Sequence, residues 1–142
     1  MDSFEKLKKK KTLLVDDDGL IRDSLSMAFL SRGCSIRTVE SGEKGIEVLK
    51  HEHFDIVVSD FKLPGMSGLE FFKATGASQT GSVHVLISGN VQEDALEDKE
   101  NLGIDEFLEK PFTVMNLADT LAGLIENREK VLIIEDKLRK TQ

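Results

Sequence analysis

Short apolar runs recur along this chain, and each gives way abruptly to a polar group. Leu13-Leu14-Val15 runs into Asp16-Asp17, Ile56-Val57-Val58-Ser59 into Asp60, Val85-Leu86-Ile87 into Ser88, and a fourth run ends at Lys110-Pro111. Apolar residues that do not alternate mark strands buried on both faces. The runs predict strands over Thr12 to Val15, Cys34 to Val39, Phe54 to Ser59, Val83 to Ile87 and Ile104 to Glu109. Amphipathic segments lie between them. Ile21, Leu25, Ala28 and Phe29 share one face of a helix that Gly33 ends. Ser41-Gly42 opens a second helix with Ile46 and Leu49 inside, and Ser67-Gly68-Leu69-Glu70 matches a capping box for a third that ends near Gly76. Val91 to Leu102 reads as a polar helix and Val114 to Ile125 as a fifth. Strands separated by helices at this spacing predict right-handed crossovers and a parallel sheet covered on both faces. In such sheets the ligand crevice lies at the carboxyl ends of the strands, where these polar residues stand.

Composition narrows the function. At 142 residues, 39% of them hydrophobic, the chain has the length and apolar content of one domain with a real core. It has no Trp and no Tyr, so any aromatic role falls to its eight Phe. A formal net charge of -7 argues against gripping nucleic acid through phosphates. The basic run Lys8 to Lys11 reads as part of a solvated leader, with a nucleic-acid contact as the alternative. The single Cys34 excludes an internal disulfide, fits a reducing compartment and reads as a small core residue. No stretch reaches membrane-spanning length, and a cytoplasmic protein with no membrane contact is expected.

Three carboxylates, a hydroxyl and an ammonium at neighbouring strand ends form an acidic crevice. Carboxylates about 4 Å apart repel by about 4 kcal/mol per pair at an effective dielectric of about 20. A divalent cation relieves that repulsion and suits hard oxygen ligands. Each residue also has an ordinary reading. The acids at 16 to 18 could cap the first helix, as Asp18 is expected to do; Ser88 could be a turn residue before Gly89-Asn90; Lys110 could be a surface lysine. The joint pattern outweighs these. His51, His53 and His84 do not gather with the acids and read as solvent-facing or packing residues.

Four pieces carry a resemblance: Leu13 to Asp18, Asp60 to Gly68, Leu86 to Gly89, and Glu109-Lys110-Pro111-Phe112. Together they resemble the receiver domain of bacterial two-component response regulators, over about residues 12 to 126. The resemblance implies an α/β, flavodoxin-like, doubly wound five-stranded parallel sheet of order 2-1-3-4-5 with helices on both faces. It divides the chain into a Lys-rich leader (1–11), a receiver domain (12–126) and a C-terminal tail (127–142) that is a helical extension or the start of a linker. It implies that Asp60 accepts a phosphoryl group from a sensor histidine kinase or phosphotransfer protein. Mg²⁺ is then held by Asp16, Asp17, Asp60 and the main-chain carbonyl of Lys62. Lys110 pairs with the phosphoryl group, and Pro111 is a cis proline that aims it. Ser88 and Phe107 form the switch, and Gly89 leaves a path for donor and water. Lys62 and Asn90 stand where the family tunes hydrolysis of the aspartyl phosphate. Phe107 occupies a position where the family often has Tyr, so coupling there must rely on packing.

A phosphoacceptor of this kind is not a turnover enzyme, although self-phosphorylation and autodephosphorylation at Asp60 are expected. Two other classes compete. A haloacid-dehalogenase-like phosphohydrolase wants a second acid two past its nucleophile, and Lys62 stands there. A constitutive interaction module would not need all five matched site residues. In the tail, Leu117, Leu121, Leu124, Arg128, Val131, Glu135 and Leu138 trace a heptad line with two polar breaks, which favours a helix that binds a downstream partner or a second copy as a homodimer. The alternative is a strand over Lys130 to Asp136 that copies the opening one.

Overall fold

The computed structural model describes residues 1–76, 81–91 and 102–141. Among these, five strands form one parallel sheet: β1 (Lys11–Val15), β2 (Ser35–Val39), β3 (Ile56–Asp60), β4 (Val83–Ser88) and β5 (Glu106–Glu109), in the order β2-β1-β3-β4-β5. The described helices are α1 (Ser3–Leu7), α2 (Gly19–Ser31), α3 (Gly42–His51), α4 (Gly68–Thr75) and α5 (Val114–Lys140). This is the flavodoxin-like doubly wound arrangement. The helix expected over Val91 to Leu102 falls on residues 92–101, outside the described residues.

Alternation within the central strands divides the core in two. Leu14, Ile56, Val58, Val85 and Ile87 face one layer, where they meet Leu25 and Phe29 of α2 and Leu117, Leu121 and Ile125 of α5. Leu13, Val15, Val57 and Leu86 face the other, against Leu49 of α3 and Phe71 and Phe72 of α4. Every residue of β3 and β4 is buried, as the unbroken apolar runs require. A Leu or Phe truncated to Ala at such a position costs about 2–5 kcal/mol.

The structure corrects the sequence reading at the N-terminal end and bears out the favoured helix at the other. Residues 1–11 are not wholly a solvated leader. Asp2 caps α1 by accepting the Glu5 N–H at 2.9 Å, and Phe4 and Leu7, three apart on one face, are buried. Phe4 meets Phe29 edge-on at 5.6 Å, and its carbonyl accepts the Cys34 thiol. The lysines lie around this contact: Lys6 pairs with Glu126 at 3.0 Å and Lys10 with Glu129 at 3.1 Å. At the other end, α5 continues through Lys140, so the segment read as either helix or strand is helix. Its capping box is Thr113 with Asn116; at α4, Ser67 accepts the Glu70 N–H. Cys34 is buried just before β2 rather than within it.

His84 on β4 stacks on Phe72 with ring centroids 5.0 Å apart, and its Nδ1 lies 2.8 Å from the Gly103 carbonyl. Burial holds its pKa below the ordinary value, against the Gly103 carbonyl and the Asp105 charge, which raise it. The unfolded chain therefore binds this proton at a higher pH than the folded one. The stability gained by keeping His84 neutral is complete above the unfolded pKa, about 6.5, and is lost as pH falls below it. Urea midpoints should accordingly fall more steeply from about pH 7.5 to pH 5.5 in the parent than in His84→Leu; parallel slopes would show that His84 carries no such load.

Candidate functional site

The sheet register assembles the site. Val15 pairs with Ser59, Asp60 with Ile87, and Ser88 with Glu109. One further residue along each strand brings Asp16 level with Asp60 and puts Lys110 just past Ser88. Hydrogen bonds continue past the strand ends: Asp16 N–H to Val39 O at 3.1 Å, Phe61 N–H to Ile87 O at 2.8 Å, and Lys110 N–H to Ser88 O at 2.8 Å. The polar side chains are thus held by main chain.

Asp16 and Asp60 are buried and Asp17 is exposed. One carboxylate oxygen from each lies within 4.8 Å of the other two. At an effective dielectric of about 20, each pair of charged carboxylates at that separation repels by at least about 3.5 kcal/mol. Lys110 offsets part of this by donating to Asp60 Oδ2 at 3.0 Å. Asp16 Oδ1 accepts the Asp18 N–H at 2.8 Å, and Arg22 donates to the Asp16 main-chain oxygen at 2.7 Å. Asp16 Oδ2 is buried with no hydrogen-bond partner among the described residues. Burial above all raises the pKa of Asp16; the Asp60 and Asp17 charges add to that, while the Asp18 amide and Lys110 oppose it. An orphaned carboxylate oxygen beside two more carboxylates is a donor set that fits Mg²⁺. Helix capping falls to Asp18 alone, whose Oδ1 accepts the Leu20 N–H at 2.9 Å.

The remaining candidates fall around this centre. Ser88 is fully buried and its Oγ accepts the Asn90 N–H at 3.0 Å. The Lys110–Pro111 peptide is cis. Among the described residues nothing lies within 4 Å of where a Cβ on Gly89 would stand, and Lys62 is exposed. Phe107 is half-buried against the core layer of α3 and α4. Among the described residues no histidine joins a cluster of ligands: His51 lies 3.4 Å from Glu47 and His53 3.4 Å from Ser82.

Gly68 is a positioning residue that sequence reasoning passed over. A Cβ there would lie 2.3 Å from the main-chain oxygen of Asp60 and 2.7 Å from Leu86. The Gly68 N–H donates to Phe61 O at 2.9 Å, which closes the loop after Asp60. The available signal was a glycine at the first position of a capped helix, where an ordinary helix former would serve.

Comparison with known proteins gives one family. The model of the response regulator receiver domain matches residues 12–122. The transcriptional regulatory protein FixJ of Bradyrhizobium diazoefficiens is 31% identical over 114 residues, covering 80% of this chain and 54% of FixJ. The first curated relatives are matched over 35% to 54% of their length. A CheY-like response regulator receiver domain protein from Methanospirillum hungatei JF-1 superposes with a TM-score of 0.79 at 25% identity, covering 85% of this chain and 97% of that one. A receiver domain of a sensor histidine kinase from Pseudomonas aeruginosa PAO1, with magnesium coordinated in its active-site cleft, shares the fold. Its TM-score is 0.72 at 21% identity, covering 82% of this chain and 98% of that one.

Gly68→Ala should lower stability by about 2–3 kcal/mol in urea titration, because backbone must move to admit the methyl group. Asp16→Asn should raise stability by about 1 kcal/mol in metal-free buffer, since the amide removes one buried like charge and can donate to a neighbouring carboxylate. Adding Mg²⁺ should raise the melting temperature of the parent and leave that of this variant unchanged.

Proposed function

The chain belongs to the response regulator receiver domain family, and on that footing we propose that it is a phosphorylation-controlled switch whose acceptor is Asp60. The observation that carries this reading is a single one: a buried carboxylate, ion-paired to Lys110, lies within 4.8 Å of two more carboxylates, one of which has an orphaned oxygen. The donor is a phosphohistidine on a sensor kinase or phosphotransfer protein. An Asp60 carboxylate oxygen attacks phosphorus, the new P–O bond forms, and the P–N bond breaks with its electron pair leaving on the imidazole.

Asp16, Asp17, Asp60 and the Lys62 carbonyl would hold Mg²⁺, which when bound supplies positive charge for the phosphoryl oxygens. Lys110, already on Asp60 Oδ2, pairs with the phosphoryl group as its second charge partner. The Ser88 hydroxyl, on the next strand, hydrogen-bonds a phosphoryl oxygen and draws the Asn90 turn with it. Phe107 lacks a phenolic hydroxyl, so it follows by packing alone. About two added negative charges at Asp60 shift an existing equilibrium toward the arrangement that satisfies them. Lys62 and Asn90, two past Asp60 and two past Ser88, govern access of water and so the lifetime of the acyl phosphate.

An apolar groove opens beside the acids, lined by Leu20, Ile21, Leu25, Pro111, Phe112 and Val114. Leu20 at its rim is 78% exposed. A donor protein that seats on this groove brings its phosphohistidine to the crevice. The output passes to a downstream partner, or to further chain such as the longer relatives carry. The described residues hold no helix long and apolar enough to cross a membrane.

Incubation with Mg²⁺ and acetyl phosphate should add about 80 Da to the parent, the mass of one phosphoryl group, and nothing to Asp60→Asn. Rapid multiple turnover of small phosphate esters would instead identify a hydrolase. Leu20→Glu should slow transfer from a phosphohistidine donor at least about tenfold while leaving labelling by acetyl phosphate unchanged. Equal rates from the protein donor would remove the groove from the docking surface.

A further inference from the structure

Past Glu126 the last helix loses its cover. Val131, Leu132, Ile133, Ile134 and Leu138 are between 49% and 60% exposed. The stripe expected from sequence runs through Arg128 and Glu135. The structure commits Arg128 elsewhere: it donates to the Ser82 carbonyl and to Asp105, at the root of β4 and β5. The seam that stays free is one residue over. From Leu124, which packs against the core, Asn127, Val131, Ile134 and Leu138 follow by three and four, with a single polar break at Asn127. A seam through Ile133 would carry Glu126, Lys130 and Lys137, so apolar contact cannot continue along it.

We propose that residues 124–141 of α5 pair with the same segment of a second copy as a parallel, in-register two-stranded coil. The charges beside the seam select both the occupant and its direction. With Val131 and Leu138 at a and Ile134 at d, Lys130 occupies g and Glu135 occupies e. In a parallel pair, g of one helix meets the following e of the other, so Lys130 faces Glu135 twice by symmetry. Glu135 has no ion pair of its own among the described residues, and Lys130 reaches only Glu126, at 3.7 Å. In an antiparallel pair g meets g, which sets Lys130 against Lys137 twice. The compensating contact there, Arg128 with Glu135, would draw Arg128 from Asp105.

The free seam from Asn127 to Thr141 is two heptads, about 21 Å. A helix of that length is marginal alone, but this one is preformed. Leu117, Leu121 and Ile125 root it in the core, and Lys6 and Lys10 of the N-terminal segment hold Glu126 and Glu129. Association is therefore reversible and concentration-dependent. It is independent of phosphoryl transfer, and Asp60→Asn leaves it intact.

Sedimentation velocity on the full chain, across about a hundredfold range of concentration, should show a monomer–dimer equilibrium. Glu135→Lys should raise the dissociation constant about tenfold, as two ion pairs become two repulsions, and adding Lys130→Glu should restore it. Circular dichroism checks that these exposed variants remain folded. Leu138→Cys should form a disulfide-linked dimer under mild oxidation, since a parallel pair puts both sulfurs in one layer. An antiparallel pair separates them by about 16 Å along the axis. Cys34 is 2% exposed and does not compete. A monomer at every concentration, a dimer that ignores Glu135→Lys, or a dimer without the Leu138→Cys cross-link overturns the proposal.

Discussion

Burial of β3 on both faces is the constraint on which the other parts depend. A parallel strand enclosed this way needs a helix layer above and below it, and its neighbours must be joined by crossovers rather than hairpins. All of its polar main-chain groups must find partners in the ladder. A charged side chain on such a strand is tolerated only where the ladder ends. Asp60 occupies that end, and the ammonium that makes its burial bearable, Lys110, comes from the end of β5. The site is thus the place where a fully enclosed sheet first allows polar atoms, and its residues are gathered by register more than by any contact among themselves.

The electrostatics at that end are unbalanced. Three carboxylates face one ammonium, Asp16 is pushed toward its neutral form, and one of its oxygens is left without a donor. Structural ion pairs in proteins tend to be closed, with each partner satisfied. This one is open by at least one positive charge, which the proposed Mg²⁺ would supply. Gly68 adds a steric condition: its missing side chain lets the α4 N-terminus lie against the Asp60 carbonyl.

How much of this was legible in the sequence depends on whether the signal is local. Asp16, Asp60, Ser88 and Lys110 each end an apolar run, so strand position and residue type coincide; alternation of elements gave a parallel sheet, and its strand order was implied by the family resemblance. The N-terminal helix was missed because five residues are too few for periodicity, and because the lysines beside Phe4 and Leu7 dominate any reading of charge. Gly68 was missed because its reason lies in another element's main chain, 8 residues away along a loop and in direct contact in space. The heptad line took in Arg128 for a similar reason: pairing of Arg128 with Asp105 is a tertiary fact that no spacing along α5 contains.

The contact between α1 and α5 bears on where the folding unit begins. The family match opens at residue 12. Phe4 and Leu7 are nevertheless in the same core layer as Phe29, Leu121 and Ile125, and Ser3 donates to Asp119 on α5. Phe4 and Leu7, outside the shared pattern, thus behave as part of the domain's interior. Removing them would open a hydrophobic trough along α5 and unfasten the base of its long projecting arm. Evolutionary boundary and physical boundary differ here by one short helix, and it is the helix that braces the lever.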